Sequence, residues 1–114
     1  MKNALTTHVL DTYHGRPAQG VAISLERADG TALGSFTTDD NGRTPPLLEG
    51  ANLVPGKYAL TFAVADYFKA QGVALTDPPF LDRVTLAFGV AKPEDGYHVP
   101  LVMSPWTYST YRGS

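Results

Sequence analysis

Short segments in which apolar and polar residues alternate run through most of the chain. One segment has Val21, Ile23 and Leu25 on the same face. Residues 58–64 and 84–90 repeat the pattern, with an apolar side chain at every second position. Alternation with a period of two is typical of a β-strand that buries one face. The pattern therefore predicts a half-buried strand in each segment.

Glycine and proline clusters separate these segments, as in Asp39-Asp40-Asn41-Gly42 and Pro93-Glu94-Asp95-Gly96. The chain contains 11 Gly and 9 Pro, and both residue types favour tight turns. Only residues 66–71 look helical, with Asp66 as the N-cap and Gly72 as the stop. Seven or eight short strands with one short helix predict an all-β fold, an antiparallel β-sandwich.

Length and composition narrow the functional classes. The size suits one domain over residues 1–114. The absence of cysteine excludes disulfides, thiolate zinc sites and cysteine nucleophiles. A net charge of -2 without any basic run argues against binding to nucleic acid or to an anionic membrane. Without an apolar run of transmembrane or signal length, we expect a cytoplasmic protein.

Two of the three histidines lie on the polar faces of predicted strands near opposite ends of the chain. By alternation, the core faces of these strands carry Leu5, Thr7, Val9, Val99, Leu101 and Met103. His8, His98 and Pro100 therefore point away from the core. Because a proline inside a strand usually marks an edge or a bulge, we also expect disturbed pairing at Pro100.

Three interpretations of His8 and His98 remain open from the residues alone. Each can be an ordinary surface histidine, since histidine is commonly partly exposed. Together they can form an acid–base pair, because imidazole titrates near neutral pH. The third is a metal pair, although neither has a second ligand at helix or turn spacing. His14, in the turn Tyr13-His14-Gly15, is expected to be a solvated loop residue.

Arg43 follows the turn at residues 39–42. A solvated arginine is usual after such a turn, but a guanidinium can also bind carbonyl or anionic oxygen of a substrate. Residues 106–114 predict a last strand that continues to Ser114. Because chain ends usually fray, the aromatic residues there indicate that the tail packs against another protein surface. Nucleophile-elbow, P-loop, dinucleotide and zinc-protease motifs do not occur in the sequence.

Three segments together resemble the 5-hydroxyisourate hydrolases of the transthyretin-like family. They are Leu5-Thr6-Thr7-His8-Val9-Leu10-Asp11 with Gly15-Arg16-Pro17-Ala18, then Thr38-Asp39-Asp40-Asn41-Gly42-Arg43, and finally Tyr97-His98-Val99-Pro100-Leu101 through to Tyr111-Arg112-Gly113-Ser114. The match spans essentially the whole chain. The closing Tyr-Arg-Gly-Ser distinguishes the hydrolases from the thyroid-hormone carriers with this fold, because the final strand of those carriers ends differently.

The resemblance implies a transthyretin-like (prealbumin-like) β-sandwich that forms a homotetramer. This is a dimer of dimers with active sites in a channel at the subunit interface. The implied reaction is hydrolysis of the cyclic amide of 5-hydroxyisourate to 2-oxo-4-hydroxy-4-carboxy-5-ureidoimidazoline in urate catabolism. No metal or other cofactor is implied.

Family positions carried over residue by residue assign the site. The catalytic positions fall on His8, Arg43, His98 and Ser114, and the substrate-binding positions on Arg43, Pro100, Tyr111, Arg112 and Ser114. We expect His98, in preference to His8, to activate the water, while His8 assists proton transfer. Arg43 would polarise the attacked carbonyl. Ser114 would orient substrate or water through its hydroxyl or terminal carboxylate, and Tyr111 would narrow the channel to a shallow pocket.

Two other classes of protein fit part of the sequence. One is a ligand carrier of the transthyretin type, which binds but does not hydrolyse. The other is a carboxypeptidase-regulatory-like β-sandwich, which shares the Asp-Asn-Gly turn and the stretch Pro55-Gly56-Lys57-Tyr58 but lacks the closing tetrapeptide. Hydrolytic activity would exclude the first class, and a stable tetramer would count against the second.

Overall fold

β-strands are the main secondary structure of the chain. The structure, a computed structural model, describes residues 3–113, so the predicted site residue Ser114 lies outside the described residues. In chain order the strands are β1 (Ala4–Thr6), β2 (Val9–Asp11), β3 (Arg16–Pro17), β4 (Ala22–Arg27), β5 (Ala32–Thr37), β6 (Leu48–Glu49), β7 (Gly56–Phe62), β8 (Val84–Val90), β9 (Tyr97–His98), β10 (Leu101–Met103) and β11 (Tyr108–Thr110). One α-helix, α1 (Val64–Ala70), and two 3-10 turns, Gly50–Asn52 and Pro93–Asp95, complete the described elements.

The first layer is an antiparallel sheet with the strand order β5-β4-β7-β8. Alternate residues along β4, β7 and β8 are buried, as the period-two pattern predicts, except that Arg27 and Phe88 on the same faces are only partly buried. The buried set comprises Ile23, Leu25, Tyr58, Leu60, Phe62, Val84, Leu86 and Val90. Each strand therefore faces the core with one side, and the predicted strands are confirmed.

The second layer joins strands from the two ends of the chain. It contains two short sheets, with the orders β6-β1-β9 and β11-β10-β2-β3. The β1–β9 and β2–β10 pairings are parallel. Between β9 and β10 the strand is interrupted at Pro100, which has no N–H to donate, so the expected disturbance occurs there. The Leu101 N–H resumes the pairing by donating to the His8 carbonyl at 2.9 Å.

Side chains from both layers form one hydrophobic core. Leu5 and Val9 from the second layer lie in the same cluster as Leu25 and Phe62 from the first. Burial of this apolar surface is the main stabilising contribution to such a sandwich. The predicted all-β sandwich is confirmed, and the mixed parallel and antiparallel second layer is the feature that local alternation did not indicate.

The helix begins earlier than the sequence predicts. Instead of residues 66–71 capped by Asp66, α1 spans Val64–Ala70, and Ala63 at the N-cap makes no side-chain capping bond. Its buried residues include Val64 and Phe68, one turn apart, so packing of the apolar face decides where the helix starts. No helix among residues 3–113 is long and apolar enough to span a bilayer.

The last strand is shorter than predicted. β11 ends at Thr110, and the chain meets the sheet again only where Gly113 bridges His98. Tyr108 and Tyr111 of this segment remain 43% and 60% exposed in the single chain. Within the described residues, packing inside one subunit therefore does not account for the aromatic residues of the tail.

Candidate active site

His8 and Arg43 lie opposite each other in an isolated antiparallel bridge. The bridge forms where the β1–β2 strand is interrupted, and the Val9 N–H donates to the Gly42 carbonyl at 2.8 Å. The His8 Nε2 atom lies 2.8 Å from the Asn41 carbonyl oxygen. Because a carbonyl oxygen can only accept, Nε2 donates this bond and carries a proton. The other ring nitrogen of His8, Nδ1, is then the one available for proton transfer.

The turn before Arg43 is held by one carboxylate. Asp39 Oδ1 accepts the backbone N–H groups of Asn41 at 2.8 Å and of Arg43 at 3.0 Å. The Asp39 N–H in turn donates to the Arg43 carbonyl at 2.8 Å. An aspartate that binds nearby backbone in this way fixes the turn, and Gly42 completes it with a φ of +74°. These bonds fix the backbone of Arg43, and the residue itself is exposed.

His98 and Arg43 line the same cavity. Its volume is about 450 Å³, and its wall consists of Thr6, Thr7, Arg43, Thr44, Pro46, Asp95, Gly96, Tyr97 and His98. The two strands that carry the walls come from opposite ends of the chain and meet through the β1–β9 pairing, in which Thr6 is the register partner of His98. The cavity is therefore a direct product of the sheet topology.

The environment of His98 favours its neutral form. Burial lowers the pKa of His98 below its usual value of 6.5, and the nearby charges of Arg43 and His8 lower it further. Desolvation and neighbouring positive charge both disfavour the imidazolium. A neutral imidazole can accept a proton, so His98 is suited to act as a general base at neutral pH.

The other predicted residues lie at different places. Tyr111 and Arg112 line a second cavity of about 410 Å³ between β8 and β11. The Arg112 guanidinium stacks 4.3 Å from the centre of the Tyr97 ring and donates to the Gly96 carbonyl at 3.2 Å. Tyr97 lines both cavities. Pro100 is buried, and the structure brings it to neither cavity.

His14 lies in an exposed turn, as the sequence suggests, but its ring also binds a buried carboxylate. Its Nδ1 atom lies 2.6 Å from Oδ2 of the buried Asp11. Tyr67 of α1 donates a second hydrogen bond to the same carboxylate oxygen at 2.7 Å. The turn folds back on Asp11, which α1 covers, and the sequence did not indicate this contact. This cluster connects β2 to α1, and its residues do not line the cavity of His98 and Arg43.

Thr6 is the site residue that the sequence did not single out. Its Oγ1 atom lies 2.9 Å from Nδ1 of His98. Alternation places Thr6 on the same strand face as His8, but only the parallel pairing of β1 with β9 shows that it meets His98. Among residues 3–113 no three histidine or carboxylate side chains lie close enough together to hold a metal ion. The residues that line the cavity therefore offer an imidazole whose neutral form is favoured, a guanidinium, a carboxylate (Asp95) and hydroxyl groups.

A β-sandwich with this mixed second layer, and a histidine and an arginine at the break in its strands, belongs to the transthyretin class of folds. The model of the HIUase/Transthyretin family matches residues 5–113, and the chain belongs to that family. A Deinococcus radiodurans protein named 5-hydroxyisourate hydrolase is 57% identical to it, over 96% of this chain and 95% of that protein.

Solved structures agree with this assignment. The Klebsiella pneumoniae 5-hydroxyisourate hydrolase superposes with a TM-score of 0.84 at 33% identity, over 98% of this chain and 99% of that one. An (S)-allantoin synthase superposes with a TM-score of 0.95 at 43% identity. That match covers 99% of this chain but 44% of the synthase chain, so the present fold forms one part of a longer protein there.

Proposed function

We propose that this protein hydrolyses 5-hydroxyisourate, opening the cyclic amide to give 2-oxo-4-hydroxy-4-carboxy-5-ureidoimidazoline in urate catabolism. The observation that carries the proposal is the shared cavity of His98 and Arg43, in which burial and charge keep the imidazole neutral. The likeness to proteins named as 5-hydroxyisourate hydrolases supports the same substrate.

In the proposed reaction His98 takes a proton from water as the water attacks the amide carbonyl. Arg43 donates hydrogen bonds to that carbonyl oxygen, on which negative charge develops. The proton that His98 takes up passes to the departing ring nitrogen, and His8, which lies beside Arg43, is proposed to assist this transfer through Nδ1. Ser114 is proposed to orient the substrate or the water. Pro100, Tyr111 and Arg112 are proposed to shape the substrate channel once subunits assemble.

The decisive experiment is a direct assay with freshly generated 5-hydroxyisourate. Its ultraviolet absorbance decays spontaneously, so the rate is compared in buffer, with the protein, and with heat-denatured protein at the same concentration. We expect faster decay only with the folded protein. A decay rate equal to that in buffer would remove the hydrolase proposal and favour a carrier that binds without turnover.

We propose further that four copies assemble as a homotetramer, a dimer of dimers with the active sites at the subunit interface. β8 and β11 are edge strands of their sheets, and the second cavity lies between them. Unpaired edges can add a strand from another copy, and the exposed Tyr108 and Tyr111 lie on this flank. Light scattering should give about four times the chain mass of 12.2 kDa. A monomer would contradict this and favour a regulatory β-sandwich module.

The cytoplasm remains the proposed compartment. The proposal rests on the sequence, in which no apolar run of signal or transmembrane length occurs. Cell fractionation with immunodetection tests it, and recovery in a membrane or exported fraction would contradict it.

A further inference from the structure

We propose that Thr6 and Gly113 are positioning residues that hold the His98 ring as the tautomer protonated on Nδ1, so that the lone pair of Nε2 faces the cavity. This inference rests on the proposed function, because it gives the two residues a role in making His98 a base. It concerns residues that act through His98 and do not themselves react.

The first contact is the hydroxyl of Thr6 at one edge of the ring. Thr6 Oγ1 lies 2.9 Å from Nδ1, and the two residues are register partners in neighbouring strands. Threonine branches at Cβ, so its side chain has few rotamers and the hydroxyl is held in place. Because a hydroxyl can both donate and accept, this contact alone fits either neutral tautomer.

The reaction decides between the two tautomers. As a base, His98 gains a proton on Nε2 and becomes an imidazolium, in which both nitrogens are donors. The Thr6 hydroxyl must then accept from Nδ1–H. If Nδ1–H also donates to Thr6 before the reaction, this hydrogen bond persists and nothing need reorient as the proton arrives.

The second contact is Gly113 on the opposite edge of the ring. Its N–H donates to the His98 carbonyl at 2.8 Å. A Cβ placed on Gly113 would stand 2.6 Å from Cδ2 and 3.0 Å from Cβ of His98. Such contacts are too short for a real side chain, so only glycine fits against the ring.

Together the two contacts leave one edge of the imidazole free. Nδ1 and Cδ2 are the two ring atoms attached to Cγ, and Thr6 and Gly113 occupy the space beside them. The distal edge with Nε2 remains, and Nε2 makes no hydrogen bond within residues 3–113. His98 is half-buried and lines the cavity, so Nε2 is the nitrogen that a water molecule can reach.

The test observes the ring directly and needs no substrate. Nitrogen-15 spectra of histidine-labelled protein, recorded above the pKa of His98, distinguish a protonated from an unprotonated ring nitrogen. In the unaltered protein we expect Nδ1 protonated and Nε2 unprotonated. Thr6→Val removes the acceptor at nearly constant shape and should shift the population towards protonated Nε2, whereas Thr6→Ser should restore the original spectrum. A spectrum with protonated Nε2 in the unaltered protein would overturn the proposal.

Kinetics with 5-hydroxyisourate then separate positioning from folding. We expect Thr6→Val to lower kcat by about 10-fold, in the range found when a hydrogen-bond partner of a functional histidine is removed, with KM within about twofold. Thr12→Val is the matched control, because the Thr12 hydroxyl makes a hydrogen bond of the same length, donated to the Met103 carbonyl at 2.9 Å, but away from the cavity. An unchanged kcat in Thr6→Val, or an equal loss in Thr12→Val, would refute the role of Thr6.

Gly113 is tested by Gly113→Ala. The added methyl should displace the ring, shift the Nδ1 resonance in the same direction as Thr6→Val, and lower kcat about 10-fold. Gly34→Ala is its control, since a Cβ there would likewise come close to an aromatic ring, 3.0 Å from that of Phe36, but in β5 at the outer edge of the other sheet. If the unaltered protein lacks hydrolase activity, the proposed function fails, while the spectra still decide whether the two residues set the tautomer.

Discussion

His8 and Arg43 are held as backbone neighbours by a β-bridge in the gap between β1 and β2. The Gly42 carbonyl accepts the Val9 N–H at 2.8 Å, and the His8 ring donates to the Asn41 carbonyl on the same turn. The relative position of a histidine and an arginine thus depends on how closely one turn approaches one strand. That dependence makes the glycine of the turn a sensitive position.

Gly42→Ala should impair both folding and activity. Gly42 has a φ of +74°, and a Cβ there would collide with the Val9 carbonyl oxygen. The backbone conformation alone should cost about 1–3 kcal/mol for a residue with a side chain. Because the collision also pushes the turn from β2, we expect kcat/KM to fall further than stability alone explains. Denaturant unfolding and initial rates measure the two effects.

Gly15→Ala is the matched control for this prediction. Gly15 has a φ of +72°, but no atom lies within 4 Å of a Cβ built there. It should lose a similar free energy of unfolding while the folded protein keeps its kcat/KM. If Gly42→Ala and Gly15→Ala behave alike in both measurements, the approach of the turn to β2 does not matter to the site.

His98→Asn should remove most of the turnover and leave the fold intact. The asparagine amide can still meet the Thr6 hydroxyl, but it cannot accept a proton from water at neutral pH. General acid–base catalysis typically contributes about 10²–10⁴-fold, and we expect a loss in kcat of that order. Initial rates and circular dichroism report activity and fold, and near-normal turnover would remove His98 from the mechanism.

The lowered pKa of His98 predicts how activity depends on pH. Burial, Arg43 and His8 all lower the pKa below 6.5. The base is neutral above its folded pKa, so kcat/KM should stay level as the pH falls to 6.5 and decline only below it.

The lowered pKa of His98 also affects the stability of the fold. Between the folded and unfolded pKa values the unfolded chain binds more protons, so this contribution to stability is present above about pH 6.5 and lost as the pH falls towards the folded pKa.

Titration of the His98 ring by NMR, beside the pH–rate profile, tests this prediction. The midpoint of the ring titration and the acid limb of kcat/KM should coincide below 6.5. A ring that titrates at 6.5 or above would contradict the predicted environment.

Local pattern predicted the faces of strands correctly but not which strands meet. Period two places Thr6 and His8 on the polar side of their strand, and both are only partly buried in the structure. The contact between Thr6 and His98, however, joins positions 92 residues apart through a parallel pairing. No local periodicity encodes such a register, which depends on how the two layers close around the core.

His14 is the opposite case, because its hydrogen-bond partner is close to it in the sequence. Asp11 stands three residues earlier, and turns favour aspartate bonds to nearby backbone, such as that from the His14 N–H at 2.9 Å. What the sequence did not indicate is the burial of Asp11, because Tyr67 of the distant α1 covers it. The position of Arg43, in turn, followed from the family resemblance, since an arginine after a turn is otherwise ordinary.

Arg43→Gln should weaken catalysis and raise the pKa of His98 at the same time. Loss of the guanidinium removes a donor to the attacked carbonyl, which should lower kcat by about 10²–10³-fold. It also removes one of the charges that disfavour the imidazolium, so the ring titration should move upwards towards 6.5. Initial rates and the NMR titration give the two readouts.

Arg83→Gln serves as the control, because Arg83 is exposed just before β8 and lines neither cavity of the proposed site. It should change neither kcat nor the titration of His98. An Arg43→Gln variant with normal kcat but a raised pKa would separate the electrostatic effect of Arg43 from its proposed role towards the substrate.

Asp11→Asn should destabilise the fold without acting at the cavity. Asp11 is 1% exposed, and its carboxylate accepts from the His14 backbone, the His14 ring and the Tyr67 hydroxyl. Burial and the bond to Asp11 raise the pKa of Tyr67 to about 12, so its hydroxyl remains a donor at neutral pH. An amide turns N–H groups towards at least one of these donors, and an unsatisfied buried donor costs about 1–3 kcal/mol.

The acid limb of stability should identify the same carboxylate. Burial works to raise the pKa of Asp11, but the hydrogen bonds from His14 and Tyr67 and the charge of His14 outweigh it, and the net shift is downwards. The stabilisation is therefore fully present above about pH 4 and lost as the pH falls through the folded pKa. Urea unfolding as a function of pH should show this loss in the unaltered protein and in Asp82→Asn, an exposed control, but a flatter acid limb in Asp11→Asn. Equal limbs in all three proteins would show that the cluster beneath α1 does not stabilise the fold through this charge.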